Sequence, residues 1–201
     1  MQIEELTVGI VQTCCYILSR EGGQECIVID PGAEAGRIRR AAGEKTITAI
    51  LLTHGHFDHI GAVRELASHE PHNSEFRIHN SELKGPRIII HELDAPMLGD
   101  PELNASAGLI GRPVTAPEAT DLVKEGDELE LAGLKVKVLH TPGHTPGSVC
   151  YEIEGELFTG DTVFEYGWGR TDLPGGSEEQ MMASLRRMMP MVRTMPMHAG
   201  H

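Results

Sequence analysis

The sequence predicts an α/β fold in which two β-sheets pack face to face with helices outside. Three observations carry this expectation. Strand-like segments fall in two blocks, each followed by helical segments, an order that suits two sheets better than one doubly wound sheet. Turn dipeptides, Gly22-Gly23, Ala132-Gly133 and Glu154-Gly155, join neighbouring strands within the blocks. At 201 residues, 40% hydrophobic and 23% charged, the chain fits one domain, residues 1–201, burying roughly 70% of its unfolded surface. Only 4% of residues are aromatic, so aliphatic side chains must fill the core.

Apolar runs at Ile3 to Val8, Cys14 to Leu18 and Cys26 to Ile29 open the chain as a β-meander. A helix follows over Ala33 to Ala42, then the buried-looking strand Ile47 to Leu52, then a helix from about His59 to Ala67. Residues His69 to Gly85 show no period and read as an insertion or long surface loop. Arg87 to His91 is a strand and Asp94 to Leu98 a short helix, while Gly99 to Ala119, rich in Gly, Pro and Ala, is a candidate lid. Strands return at Glu128 to Leu131, Leu134 to Leu139, Ser148 to Ile153 and Leu157 to Thr159. A helix over Glu178 to Met189 and a strand near Thr194 to His198 close the chain. Met181, Met182, Met188, Met189 and Met191 read as a soft packing face.

Seventeen Lys and Arg against thirty Asp and Glu give a net charge of −13, which repels polyphosphate and argues against nucleic acid as a partner. The first residues carry Glu4 and Glu5 without a basic stretch, so no secretory signal is expected. No apolar run approaches the roughly 20 residues that cross a bilayer, so no membrane partner is expected. Cys14, Cys15, Cys26 and Cys150 form no CxxC pair, and Cys14 and Cys15 point to opposite faces of an extended strand. Reduced thiols in a cytoplasm are the simplest reading.

Three of eleven histidines crowd into Thr53-His54-Gly55-His56-Phe57-Asp58-His59, directly after the strand ending at Leu52. Loops on a rigid scaffold are where ligating side chains collect. In an extended stretch His54 and His56 point the same way and can reach one cation, while Asp58 and His59 can turn toward a second as the next helix begins. His69, His72, His79, His91 and His140 have no partner at ligand spacing and read as surface or core residues. Asp30, in Ile29-Asp-Pro-Gly32, reads either as a turn residue or as a group that orients a ligating histidine.

The His-x-His-x-Asp-His run resembles the signature of the metallo-β-lactamase-fold hydrolases. The chain then offers, in that family's order, Thr141-Pro-Gly-His144, Phe158-Thr-Gly-Asp161 and His198-Ala-Gly-His201. The resemblance spans about Ile3 to His201 and implies a four-layer αββα sandwich of two mixed sheets. It implies His54, His56 and His144 on one metal, Asp58, His59 and His201 on the other, and Asp161 between them. At the last position His198 is the competitor, and the Gly before His201 favours His201. Five imidazoles and two carboxylates suit two divalent ions, zinc first, with iron or manganese as alternatives.

The stretch Gly169-Arg170-Thr-Asp172-Leu-Pro-Gly-Gly-Ser177 resembles that of small glyoxalase-II-like (hydroxyacylglutathione hydrolase-like) proteins. This implies a small-molecule substrate and hydrolysis of a thioester or related activated ester by a metal-bridging hydroxide, with Asp58 orienting the water. Arg170 reads as a substrate contact or as half of a turn with Asp172. Trp168, with Phe164 and Tyr166, lines the cleft or packs in the core. The alternatives are a mononuclear iron enzyme resembling persulfide dioxygenases and a non-catalytic binding protein on the same scaffold. The oligomeric state is not legible.

Overall fold

A computed structural model describes residues 1–68 and 85–201 of the chain, so the insertion read at 69–85, apart from Gly85, lies outside the described residues. The meander forms as β1 (Gln2–Val8), β2 (Thr13–Ser19) and β3 (Glu25–Ile29), followed by helix α1 (Ala35–Ala42) and strand β4 (Thr46–Leu51). Helices α2 (Phe57–Ile60) and α3 (Val63–Ala67) come next, then β5 (Arg87–His91), a 3₁₀ turn at Ala95–Leu98, α4 (Ser106–Ile110) and β6 (Asp121–Val123). The second block is β7 (Glu128–Leu131), β8 (Leu134–His140), β9 (Val149–Ile153) and β10 (Glu156–Gly160), closed by α5 (Glu178–Val192) and β11 (Met197–Ala199).

The first sheet runs β1-β2-β3-β4-β5-β6 and the second β11-β10-β9-β8-β7. Both are mixed, with β3 to β6 parallel in the first and β11 parallel to β10 in the second. Side-chain alternation builds the layers. On β3, Ile27 and Ile29 face the second sheet and meet Val136, Val138 and Tyr151, while Cys26 and Val28 face outward to Ile38 of α1 and Leu66 of α3. Cys14 and Cys15 divide between the same two faces. On the far side Met188 of α5 covers Leu139, Cys150 and Leu157. The result is the expected αββα sandwich of two mixed sheets. Among the described residues no helix is long and apolar enough to cross a membrane.

Departures from the sequence reading have local causes. The helix expected from about His59 to Ala67 starts at Phe57 and breaks at Gly61, because the Ala62 N–H turns away to donate to the Pro31 carbonyl at 2.9 Å. The Gly99 to Ala119 stretch holds α4, a helix too short to show a period. Asn104 pins it: its side chain donates to the Met97 and Val114 carbonyls and accepts from Ser106 N. Strand β6 is three residues at a sheet edge, below what alternation reveals. Helix α5, capped by Ser177 Oγ and begun with Glu178 and Glu179, continues past Met189 with Pro190 inside its last turn.

Candidate metal centre

Strand β4 delivers the histidine-rich loop to a point fixed by both sheets. The Leu52 N–H donates to Ile89 O at 2.9 Å in the first sheet. Across the interface, Tyr151 Oη donates to Leu52 O at 2.8 Å and Val149 N donates to Thr53 O at 2.8 Å. Beyond this clamp the loop carries His54, His56 and His59, all almost fully buried.

Two groups of ligand atoms meet there. His56 Nδ1 lies 2.8 Å from His144 Nε2, which lies 3.2 Å from His54 Nε2. His59 Nε2 lies 3.4 Å from His201 Nε2 and 3.8 Å from Asp58 Oδ2, itself 3.4 Å from His201 Nε2. Asp161 faces both groups, with Oδ1 3.4 Å from His59 Nε2 and Oδ2 3.4 Å from His144 Nε2. Each trio, and also His54, His59 and Asp161, converges closely enough to hold a metal ion.

The outer nitrogens are tied to fixed partners. Thr53 Oγ1 donates to Asp30 Oδ2 at 2.6 Å, so it accepts from His54 Nδ1 at 3.1 Å. His144 Nδ1 donates to the Arg170 carbonyl at 2.7 Å. Both bonds leave the Nε2 atoms as bare lone pairs aimed at each other, and a hydrogen bond from His56 relieves one of these contacts at most. Asp161 Oδ1 and His56 Nε2 are buried without a hydrogen-bond partner. Converging lone pairs and an orphaned carboxylate oxygen are costly in a buried site unless a cation joins them, so the donor set fits divalent metal.

The electrostatics differ between the two trios. Burial, then the neighbouring His59 and His144, pushes His54 well below the usual histidine pKa, and burial with His144 lowers His56 to about 3, which keeps both neutral as metal ligands must be. His59 goes the other way: burial opposes its charge, but Asp161, Asp30 and Asp58 outweigh it and raise its pKa to about 10. Burial likewise opposes ionisation of Asp58, yet His59, His201 and His56 hold it well below the carboxylate range. Asp30 Oδ2 sits 3.0 Å from His59 Nδ1, off the line of a good hydrogen bond, and its other oxygen accepts from Thr53 N at 2.8 Å. Of its two readings, the structure places it behind a histidine.

The chain end is positioned by β11. Tyr16 Oη donates to Ala199 O at 2.6 Å, and Gly200 exchanges backbone bonds with Cys14 and Gly160. A Cβ on Gly200 would stand 2.3 Å from Asp161 Oδ1, so only glycine lets the chain pass. His201 therefore reaches the cluster, whereas His198 stacks on Phe158 and pairs with Glu156 at 2.9 Å. His91 and His140 stack on each other at 4.1 Å outside the cluster.

A hollow of about 400 Å³ opens beside His56, Asp58, His144, Asp161 and His201. Arg170 lines it, with its guanidinium held by Asp172 at 2.6 and 2.7 Å, as the turn reading expects. Phe164 also lines it, but Trp168 does not and is half exposed.

Sequence reasoning missed Asp94. It is fully buried, and its carboxylate accepts from Gly55 N at 3.1 Å, Thr145 Oγ1 at 2.6 Å and Gly147 N at 2.6 Å. It thereby ties the loop between His54 and His56 to the loop after His144. Burial raises its pKa, and those donors oppose the rise. Asp94 precedes the 3₁₀ turn Ala95–Leu98 without a side-chain cap bond, so nothing local marked its role.

The family model for the metallo-beta-lactamase superfamily matches residues 8–75 and 81–193. Among curated relatives, the probable metallo-hydrolase YqgX of Bacillus subtilis is 35% identical, with coverage of 100% of this chain and 90% of the relative. Hydroxyacylglutathione hydrolase GloC of Haemophilus influenzae is 32% identical, with 100% and 91% covered. Among solved structures, BLEG-1 B3 metallo-beta-lactamase superposes with a TM-score of 0.86 at 34% identity over 100% of this chain and 91% of that one. TTHA1623 in a di-iron-bound form gives 0.79 at 31% identity over 98% and 91%. With its sandwich, its histidine loop after β4 and a family model spanning most of its length, the chain belongs to the metallo-beta-lactamase superfamily.

Proposed function

We propose that the chain is a dinuclear, metal-dependent hydrolase of thioesters or related activated esters. In this reading His54, His56 and His144 hold one divalent ion, Asp58, His59 and His201 hold the other, and Asp161 serves both. The observation that carries it is the Asp161 carboxylate, whose two oxygens face the two trios at 3.4 Å each. The mixed imidazole and carboxylate set suits zinc first, with iron and manganese as alternatives. The likeness to TTHA1623, solved in a di-iron-bound form, supports a two-ion site. The likeness to GloC, named for hydroxyacylglutathione hydrolysis, supports the thioester class.

Divalent ions bound there lower the pKa of water to about 7 and polarise a carbonyl. The remaining work falls to the chain itself. Asp58, kept ionised by its imidazole neighbours and opening onto the hollow, accepts a hydrogen bond from the attacking water and orients it. The Arg170 carbonyl holds His144 at a fixed angle from behind, and the Asp30 carboxylate lies 3.0 Å behind His59. Two divalent charges against Asp58 and Asp161 leave the site net positive, which suits the oxyanion of acyl transfer. The cysteines are all free, in keeping with a small-molecule hydrolase in a reducing cytoplasm.

The test is thiol release from a thioester panel by metal-loaded protein, wild type against Asp58→Ala. Metal-dependent turnover that falls by roughly a hundredfold or more in the variant is expected. Full activity in Asp58→Ala would sink the mechanism, and faster turnover of a chromogenic cephalosporin than of any thioester would replace the substrate class.

A further inference from the structure

The hollow beside the ligand cluster differs sharply between its floor and its walls. The floor is the imidazole and carboxylate set. The walls are Val11, Leu109, Ile110, Phe164 and Leu173. Val11 and Leu109 are 42% and 51% exposed. The five wall residues come from three separate segments: the β1–β2 turn, α4, and the stretch after β10. Chain segments so distant in sequence presenting apolar groups to one concavity mark a ligand wall more than a packing defect.

The charge pattern narrows the ligand. Apart from histidines, Arg170 is the one cation among the described residues lining the hollow. Two of its three guanidinium nitrogens, Nε and Nη2, are engaged by Asp172. Arg112 lines the adjoining hollow of about 350 Å³, which shares Val11 and Ile110 with this one. The chain as a whole carries −13. On these walls a substrate portion bearing carboxylates meets only the Asp172-paired Arg170, whereas an uncharged apolar chain finds three walls.

We infer that the preferred substrate is a thioester carrying an uncharged apolar chain, which lies against Val11, Leu109, Ile110, Phe164 and Leu173 while its carbonyl faces the ligand cluster. This rests on the thioester reading above. Val11 and Leu109 determine specificity and are not catalytic residues. The pinning of α4 by Asn104 makes the Leu109 wall a standing feature of the fold.

The experiment measures kcat/KM on metal-loaded protein for two homologous series, acetyl to hexanoyl thioesters of N-acetylcysteamine and acetyl thioesters of ethanethiol to hexanethiol. A glutathione thioester of matched acyl group is run beside them. Full burial of a methylene corresponds to roughly a fourfold gain, about 0.8 kcal/mol, so the half-open walls should give at least a tenfold rise across one series. Leu109→Asn and Val11→Asn alter exposed positions and leave the core intact; each should reduce the long-to-short ratio at least threefold. A flat or falling profile in both series overturns the inference, as does an undiminished ratio in both variants. A glutathione thioester turned over faster than its apolar counterpart overturns it too. Absence of turnover on every thioester refutes the underlying thioester reading instead, which keeps the two failures distinct.

Discussion

Asp94→Asn tests whether the two ligand loops are held by one buried carboxylate. In the wild type, Oδ2 accepts from Gly55 N and Thr145 Oγ1, and Oδ1 accepts from Gly147 N at 2.6 Å. An asparagine has one acceptor oxygen, so if it serves Gly55 and Thr145 its NH₂ faces the Gly147 N–H. Thr145 can redirect its hydroxyl to Ser148 Oγ at 2.7 Å, but the glycine N–H has no such recourse. Losing a hydrogen bond to a charged group costs about 1.5 to 3 kcal/mol, and the stranded buried N–H adds to it. The total is about 3 kcal/mol, or roughly 6 to 12 °C in a chain of this size. The assay is urea unfolding of metal-free protein by circular dichroism, with metal titration of folded variant and wild type. Freed from Asp94, the His144 loop should bind metal roughly tenfold more weakly. A variant within about 0.5 kcal/mol of wild type, the range of neutral surface changes, with unchanged metal affinity would refute the reasoning.

Three further outcomes are expected. Tyr151→Phe removes the hydroxyl that reaches Leu52 O at 2.8 Å in a fully buried position, and should cost about 1 to 2 kcal/mol by urea unfolding. Gly200→Ala drives a Cβ to within 2.3 Å of Asp161 Oδ1, so turnover should fall roughly tenfold or more with an unchanged circular dichroism spectrum; full activity would show that the chain end is not fixed there. Burial, then the facing His140, lowers the pKa of His91 to about 4, below its unfolded value near 6.5. The folded state thus binds that proton less readily than the unfolded chain, so stability is full above about pH 6.5 and declines as pH falls toward 4. His91→Asn, which keeps an acceptor for Leu93 N, should flatten the decline of the urea midpoint over that window, and an unaltered slope would contradict the assignment.

The sandwich was legible because alternation and turn chemistry were both strong. Ile27 and Ile29 against Cys26 and Val28 divide cleanly between two apolar faces, and Ala132 and Glu154 adopt the positive φ that their hairpin turns demand. The candidate site was legible because four of its members share one short loop and the rest sit in glycine-marked turns. What escaped notice lacked a local signal. Helix α4 spans five residues and is set by Asn104, whose bonds reach Met97 and Val114. Asp94 acts on loops 39 to 53 residues away, a relation that no spacing rule encodes. The break at Gly61 answers to Pro31, thirty residues earlier. The apolar wall of the hollow is likewise assembled from segments that meet only in the folded chain.

Metal content per chain tests the central claim most directly, measured by elemental mass spectrometry on protein purified without chelators and on Asp161→Asn. The shared Asp161 carboxylate predicts close to two equivalents of zinc, iron or manganese in the wild type and a marked loss at both positions in the variant. One equivalent of metal in the wild type, unchanged by Asp161→Asn, would contradict a dinuclear centre built around that residue.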